Sequence, residues 1–119
     1  MSRPSLKWCL PALALAILAA TASGSLAGEP QVIEVSAKRF EFVPSRITIR
    51  KGETVTLRLR SQDVTHGFFM KPLGIDATIE PGKSVDVTLT PKVPGNYTVI
   101  CDRFCGAGHG NMHMEIIVE

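Results

Sequence analysis

The stretch Cys101-Asp-Arg-Phe-Cys105-Gly-Ala-Gly-His109-Gly-Asn-Met112 places two thiols, one imidazole and one thioether within twelve residues. Thiolate and thioether sulfurs are soft donors that favour copper(I) or zinc, and imidazole suits both metals. A mononuclear blue-copper site takes a single thiolate, so the second cysteine is one sulfur too many for such a site. Two thiolates on one tight loop can instead bridge a pair of copper ions. The stretch therefore predicts a metal site, and favours a dinuclear copper site.

The sulfur atoms of this stretch also allow other interpretations. In a secreted protein, two cysteines as close as Cys101 and Cys105 commonly form a disulfide. Two cysteines and two histidines can hold zinc, although zinc sites rarely use methionine and a thioether favours copper. Met112 taken alone would be a core residue, because methionine fills irregular gaps. The next residues begin a strand in which we expect His113 to be exposed and Met114 to be core, so neither is a candidate ligand.

Alternation of apolar and polar residues, the pattern of half-buried β-strands, dominates the chain after residue 30. The pattern is clearest in segments 31–36, 46–50, 54–60, 84–90, 96–100 and 112–119. Pairs such as Pro81-Gly82 and Pro94-Gly95 separate the segments, as turns do. We predict an all-β sandwich of seven or eight short strands. The cysteine-containing stretch then joins the last two strands at one end of this sandwich.

The N-terminus has the pattern of a secretory signal. Arg3 and Lys7 give it a basic start, residues 8–20 are apolar, and Ser25-Leu26-Ala27 offers small residues for cleavage. The apolar segment is shorter than the roughly 20 residues that span a bilayer. We predict a signal peptide over residues 1–27, a single domain over residues 28–119, and a periplasmic or other extracytoplasmic location. An uncleaved N-terminus that acts as a short anchor is the alternative.

The charge balance excludes one large class of partners. The chain has 13 basic and 11 acidic residues, and without residues 1–27 it has eleven of each. A nearly neutral domain with no basic stripe and few aromatic residues is not expected to bind nucleic acid. The remaining chain of about 92 residues is at the small end for an independent core. A metal that ties a loop to the sandwich would therefore add useful stability.

The spacing Cys-x3-Cys-Gly-x2-His-x2-Met resembles the CuA loop of cytochrome c oxidase subunit II. That family also has an upstream histidine before an apolar pair, and Asp63-Val-Thr-His66-Gly-Phe-Phe69 resembles this segment. The resemblance covers nearly all of residues 31–119. It implies a cupredoxin-like Greek-key β-sandwich as the fold and a dinuclear CuA centre, with two copper ions per chain, as the cofactor.

The resemblance also implies a ligand set. In this family two cysteines bridge both copper ions, and the matching residues here are Cys101 and Cys105. One ion would be completed by His66 and Met112. The other would be completed by His109 and by the backbone carbonyl of Arg103.

The predicted fold would hold these ligands in place. The metal loop lies between two strands, and His66 would arrive from another loop at the same end of the sandwich. Ligands held in this way move little when the ion changes charge, which fast electron transfer needs. The glycines at positions 106, 108 and 110 are expected to let the loop wrap tightly beneath the metals.

The function implied by the resemblance is electron transfer. The domain would pass electrons from a c-type cytochrome, or a similar donor, to a haem-copper oxidase through its subunit I. Cytochrome-c oxidase activity would then belong only to the complex, and the domain would meet a membrane only through a partner or an uncleaved N-terminus.

Two departures from the family pattern keep other functions open. The family commonly has glutamate at the position of Arg103, where its side chain helps to bind a second metal, and it normally carries one or two membrane helices. One alternative is a free-standing cupredoxin that stores or delivers copper, or that serves another periplasmic reductase. Another is a purely structural sandwich with a disulfide.

Three phenylalanines near the predicted site suggest a surface for a redox partner. Neighbouring residues of a strand point to opposite faces, so at most one of Phe68 and Phe69 is expected at the surface. We predict that Phe68 and the loop residue Phe104 are exposed and form the docking surface, while Phe69 lies in the core.

Overall fold

The computed structural model describes Ser2 and residues 30–119, and the described residues form two β-sheets that contain nine strands. In the four-stranded sheet the order is β2-β1-β4-β7, made of β1 (Gln31–Lys38), β2 (Glu41–Val43), β4 (Val55–Ser61) and β7 (Ser84–Leu89). In the five-stranded sheet the order is β3-β9-β8-β5-β6, made of β3 (Arg46–Ile49), β5 (His66–Met70), β6 (Ile75–Ile79), β8 (Gly95–Ile100) and β9 (His113–Val118).

These two sheets confirm the predicted all-β sandwich. Short 3-10 turns occur at Lys71–Leu73 and His109–Asn111. Within the described part of the chain there is no helix with the length and hydrophobicity that a membrane crossing requires. The predicted signal peptide, residues 1–27, lies outside the described residues except for Ser2, so it stays a prediction.

The strand count exceeds the predicted seven or eight because some strands lack alternation. In β5 every residue except Phe69 is buried, so its apolar residues do not alternate with exposed ones. The other strand that is hard to recognise is β2, which is only three residues long. By contrast, β9 alternates as predicted and buries Met114, Ile116 and Val118.

The core lies between the sheets and includes one side chain expected to be at the surface. Phe68 is fully buried, and its ring meets the edge of Phe42 at a centroid distance of 5.3 Å and an angle of 85°. The prediction that Phe68 is exposed is therefore wrong. The ring instead joins the two sheets, because Phe42 belongs to β2 and Phe68 to β5.

Strand direction places the candidate site at one end of the sandwich. Strands β1 and β4 pair in parallel, with Gln31 opposite Val55, and Val55 in turn lies opposite Leu89 of β7. The C-terminal end of β1 leads to Arg39, whose side chain contacts the loop between β8 and β9. The described chain thus enters the sandwich at the end opposite to this loop.

Candidate metal centre

The metal loop, residues 101–112, is closed at its base by the sheet. Ile100 of β8 pairs with His113 of β9, and the Cys101 amide donates a hydrogen bond of 3.1 Å to the Met112 carbonyl. Near its end the loop makes a 3-10 turn in which the Met112 amide donates to the His109 carbonyl at 3.2 Å. The two ends of the loop are therefore positioned by strand pairing.

The two loop cysteines are buried side by side as free thiols. Their Sγ atoms are 3.7 Å apart, whereas the sulfurs of a disulfide are about 2.05 Å apart. The pair is thus not joined in this structure. A metal–thiolate bond is about 2.3 Å long for zinc, so two sulfurs at the observed spacing can both bind one ion of that size. The spacing fits a bridging pair of thiolates.

An imidazole nitrogen lies beside each sulfur. His66 Nδ1 is 3.9 Å from Cys101 Sγ, and His109 Nδ1 is 3.6 Å from Cys105 Sγ. His66 was expected on a loop, but it is the first residue of β5 and is fully buried. One ligand atom of its ring and the two sulfurs all lie within 4.8 Å of one another. One ring therefore comes from a strand and the other from the loop.

The remaining two predicted donors lie at the same place. Met112 Sδ is 3.8 Å from Cys105 Sγ, and the carbonyl oxygen of Arg103 is 3.2 Å from Cys101 Sγ. The carbonyl faces the sulfurs while the Arg103 residue as a whole is exposed. The structure thus brings together all six predicted site residues. Their role as metal ligands remains a prediction.

Hydrogen bonds fix the orientation of the His66 ring. Its Nε2 lies 2.7 Å from Asp63 Oδ1, which leaves Nδ1 facing the sulfurs. Burial disfavours the charged Asp63 carboxylate, but hydrogen bonds from the Arg39 amide, His66 and the Val64 amide outweigh it and lower the pKa of Asp63 to about 2. The carboxylate is therefore ionised near neutral pH and holds the ring by its far nitrogen, as outer partners of metal-binding histidines do.

The environment of Cys105 favours its protonated form when no metal is bound. Burial, followed by the hydrogen bond with Cys101, raises the pKa of this thiol to about 11. Metals bind thiolates, so metal binding must displace this proton.

Residues outside the predicted set also shape the site. The Arg39 guanidinium donates from Nε to the Cys105 carbonyl at 2.9 Å. The Phe40 ring lies against the loop so closely that an added Cβ would be 2.8 Å from it at Gly106 and 2.5 Å at Gly108. These two glycines thus allow the ring to pack against the loop backbone, whereas a Cβ at Gly110 would meet nothing. That the three glycines let the loop wrap beneath the metals stays a prediction.

The signals for these additional residues differ in the sequence. Asp63 could have been found, because it precedes His66 by three residues and carboxylates commonly bind the second nitrogen of a ligating histidine. Arg39 and Phe40 precede the loop by more than 60 residues, and no local pattern marks them.

His113 and Met114, which were excluded as ligands, and Phe104 in the loop have the exposure or burial that was predicted. His113 is exposed and bonds to the Asn111 carbonyl at 2.9 Å, and Met114 is fully buried in the core. Phe104 is 82% exposed at the outer side of the loop, so its predicted exposure is confirmed. Phe69 was expected in the core but is only partly buried.

A family model described as "Cupredoxin-like domain" matches residues 11–118. The chain belongs to the cupredoxin-like family. It is also 36% identical over 87 residues to cytochrome c oxidase subunit 2 of Thermus thermophilus, covering 73% of this chain and 64% of that protein. A second subunit 2 sequence from the same species has the same identity, with 52% of its length covered. The chain therefore spans less than two thirds of these relatives.

Another relative has a different name and a much longer chain. Nitrous-oxide reductase of Cupriavidus necator is 29% identical over 122 residues, covering 98% of this chain and 19% of the reductase.

Solved structures show the same architecture. A chain of a haem-copper terminal oxidase dimer superimposes with a TM-score of 0.69 at 29% identity, covering 79% of this chain and 68% of that one. The periplasmic domain of subunit II of cytochrome oxidase from Bradyrhizobium japonicum gives the same TM-score of 0.69 at 15% identity, covering 75% and 83%. The predicted resemblance to oxidase subunit II is confirmed at the level of the family.

The donor set fits copper. Two thiols supply soft donors and two imidazoles supply borderline ones, and the buried thioether of Met112 adds another soft donor. Zinc sites are built from cysteine, histidine and carboxylates, so the thioether distinguishes the two metals. Family, relatives and donor chemistry together indicate copper binding.

Proposed function

We propose that this domain carries a dinuclear CuA centre and transfers electrons between a c-type cytochrome and a haem-copper oxidase. The single observation that carries the proposal is the pair of buried, free sulfurs 3.7 Å apart. An imidazole lies on each side of the pair, at 3.9 Å from Cys101 and 3.6 Å from Cys105. A mononuclear blue-copper site takes one thiolate and would leave one of these sulfurs without a role.

The chain's own part in electron transfer is to hold the donors still. When bound, the copper pair accepts and releases one electron. Cys101 directly follows β8, Met112 directly precedes β9 and His66 begins β5, so three donors are positioned by paired strands. Strand pairing restricts how far these donors can move when the charge of the site changes. The domain makes and breaks no substrate bonds by itself, so oxidase activity would be a property of a complex.

The position of Arg103 is compatible with this role. A carbonyl ligand is a backbone group, and the Arg103 carbonyl faces Cys101 Sγ at 3.2 Å whatever its side chain does. The exposed guanidinium would repel a second cation at the place where the family commonly has glutamate. We infer that this chain lacks the second metal contact that glutamate gives other members of the family.

Several observations support an extracytoplasmic place of action. The relatives include a periplasmic domain of an oxidase subunit, and residues 1–27 have the pattern of a secretory signal. A periplasmic domain would meet both a c-type cytochrome and the outer face of a membrane oxidase, through subunit I of that oxidase.

The test of the proposal is copper stoichiometry together with an electron paramagnetic resonance spectrum of the purified domain. We expect two coppers per chain and a seven-line mixed-valence signal in a purple protein. One copper with a four-line signal, a colourless protein with labile Cu(I), or a metal-free disulfide would each overturn it. The colourless outcome would instead identify a protein for copper delivery or storage.

A second experiment concerns the partner. Phe104 is 82% exposed beside the site, and apolar groups can exclude water at the small interfaces of redox complexes. Phe104→Ala should slow electron exchange with a c-type cytochrome severalfold and leave the copper spectrum unchanged. Val93→Ala is the matched control, since Val93 is 64% exposed at the opposite end of the sandwich. Equal rates in both variants would show that Phe104 has no role in docking.

The identity of the acceptor is open to a second candidate. Similarity to nitrous-oxide reductase extends over 98% of this chain. This similarity favours a domain that can pass electrons to a reductase instead of to an oxidase. Stopped-flow transfer from the reduced domain to a purified haem-copper oxidase, and to a nitrous-oxide reductase without the part that is similar to this chain, would separate the two. The faster acceptor identifies the partner class.

A further inference from the structure

The turn between β1 and β2 lies against the metal loop although it supplies none of the predicted ligands. It contains Arg39 and Phe40, both of them exposed in part. This turn belongs to the four-stranded sheet, whereas the loop belongs to the five-stranded sheet. Contacts between the two therefore tie the loop to the other half of the sandwich.

Arg39 makes hydrogen bonds to two residues of the candidate site, Cys105 and Asp63. Its Nε donates to the Cys105 carbonyl at 2.9 Å, and its backbone amide donates to Asp63 Oδ2 at 2.8 Å. The other oxygen of Asp63, Oδ1, lies 2.7 Å from His66 Nε2. One residue thus connects the backbone of a loop cysteine to the carboxylate that orients the strand histidine.

The Phe40 ring packs against the metal loop. Its ring occupies the space that a side chain at position 106 or 108 would need. An added Cβ would lie 2.8 Å from a ring carbon at Gly106 and 2.5 Å from one at Gly108. The glycines let the ring and the loop backbone approach at the distance of direct packing. The ring is nevertheless 38% exposed, so burial alone does not account for a phenylalanine at this position.

We propose that Arg39 and Phe40 are positioning residues that hold the Cys105 side of the metal loop in its ligating arrangement before and after the metal changes charge. The loop donors Arg103, Cys105 and His109 lie between the two strand-anchored ends of the loop, with Cys101 at one end and Met112 at the other. A contact from outside the loop is what limits the movement of this middle part. This proposal rests on the proposed function, but whether the metal-free loop is held in place can be tested separately.

The first test is amide hydrogen exchange of the reduced, copper-free domain, read by mass spectrometry on a peptide that covers residues 101–112. Arg39→Met removes the donor to Cys105, and Phe40→Ala removes the ring. Arg39→Met should speed exchange in the loop about fivefold, the factor that corresponds to losing one hydrogen bond of ~1 kcal/mol. Phe40→Ala should also speed it, because the loop loses a packing partner. Exchange in β9 should be unchanged.

Matched variants separate positioning from general effects. Lys38→Met removes a positive charge from the last residue of β1, directly before the turn, where Lys38 pairs with Glu41 at 3.1 Å, and should leave loop exchange unchanged. Phe40→Tyr keeps the ring and should restore slow exchange. If Phe40→Ala fails to fold, Phe40→Leu keeps an apolar side chain without the flat ring and should show the same faster exchange.

The second test uses the copper-loaded protein. Arg39→Met and Phe40→Ala should shift the copper absorption bands and the reduction potential, whereas Lys38→Met and Phe40→Tyr should change neither. Two outcomes would overturn the proposal and leave the turn with a packing role only. One is faster amide exchange in all strands alike, and the other is unchanged exchange in the loop together with unchanged copper absorption bands. A wild-type protein without a dinuclear signal would refute the proposed function, while the copper-free exchange data would still decide the positioning role.

Discussion

The two sulfurs of the candidate centre lie 3.7 Å apart but are held by different parts of the molecule. Cys101 directly follows β8, and its imidazole neighbour His66 is a buried strand residue. Cys105 lies in mid-loop, and its neighbour His109 lies in a short 3-10 turn of the same loop. The first pair is positioned by the sheet, and the second pair depends on contacts that reach the loop from outside.

This difference shows that strand pairing alone does not position the whole site. The two ends of the loop, Cys101 and Met112, are paired through their backbones. The middle of the loop lies outside the strands, so its position depends on support from elsewhere. Here the Arg39 guanidinium and the Phe40 ring give that support.

Replacing either cysteine should change the site more than any other substitution. The two replacements test whether the sulfurs are equivalent although different parts of the molecule hold them. Cys101→Ser and Cys105→Ser should each abolish the two-copper spectrum, because in the proposed centre both thiolates would bridge the two ions and neither could replace the other. Copper analysis and electron paramagnetic resonance measure the result. A variant that keeps two coppers and an unaltered spectrum would show that its cysteine does not bridge.

The two histidines should differ in the metal-free protein. His66→Ala leaves a buried space and removes a partner of Asp63, so it should lower the free energy of unfolding by about 1–3 kcal/mol. His109→Ala, in a partly exposed loop position, should change it by less than about 0.5 kcal/mol. Urea unfolding of the copper-free proteins measures both. Copper binding should be impaired in both, and equal destabilisation would contradict the distinction between strand and loop.

Two buried methionines give a smaller and cleaner contrast. Met112 lies beside Cys105 Sγ, whereas Met114 is a core residue of β9. Met112→Leu should keep copper and raise the reduction potential, because it removes a weak donor that stabilises the oxidised form. Met114→Leu should leave the potential unchanged, and both should cost less than about 1.5 kcal/mol of stability. Voltammetry that shows the same potential for both variants would remove Met112 from the ligand set.

The smallest effect concerns acid stability. Hydrogen bonds to Asp63 outweigh its burial and lower its pKa from 3.8 in the unfolded chain to about 2 in the folded one. A depressed pKa gives stability that is fully present above pH 3.8 and is lost as the pH falls through 2. Copper-free Asp63→Asn should therefore lose less stability than the wild type between about pH 4 and pH 2. Parallel losses in urea titrations of the two proteins would exclude this role of Asp63.

Local patterns in the sequence were enough to predict the fold class and the residues of the candidate site. Alternation in segments such as 113–118 is a local consequence of having one face buried, so it can be read without a structure. The donor types in the metal loop are likewise chemical facts of the sequence, and their spacing is short enough for one loop to bring them together.

The residues that support the site, and the burial of Phe68, could be seen only in the folded chain. Alternation could not tell that Phe68 packs on Phe42, because both faces of β5 are largely covered. Nor could it place Arg39 against Cys105, since 66 residues separate them and the contact depends on how the two sheets pack. Local pattern reflects the burial of one face of a strand, whereas contacts between sheets depend on the path of the whole chain.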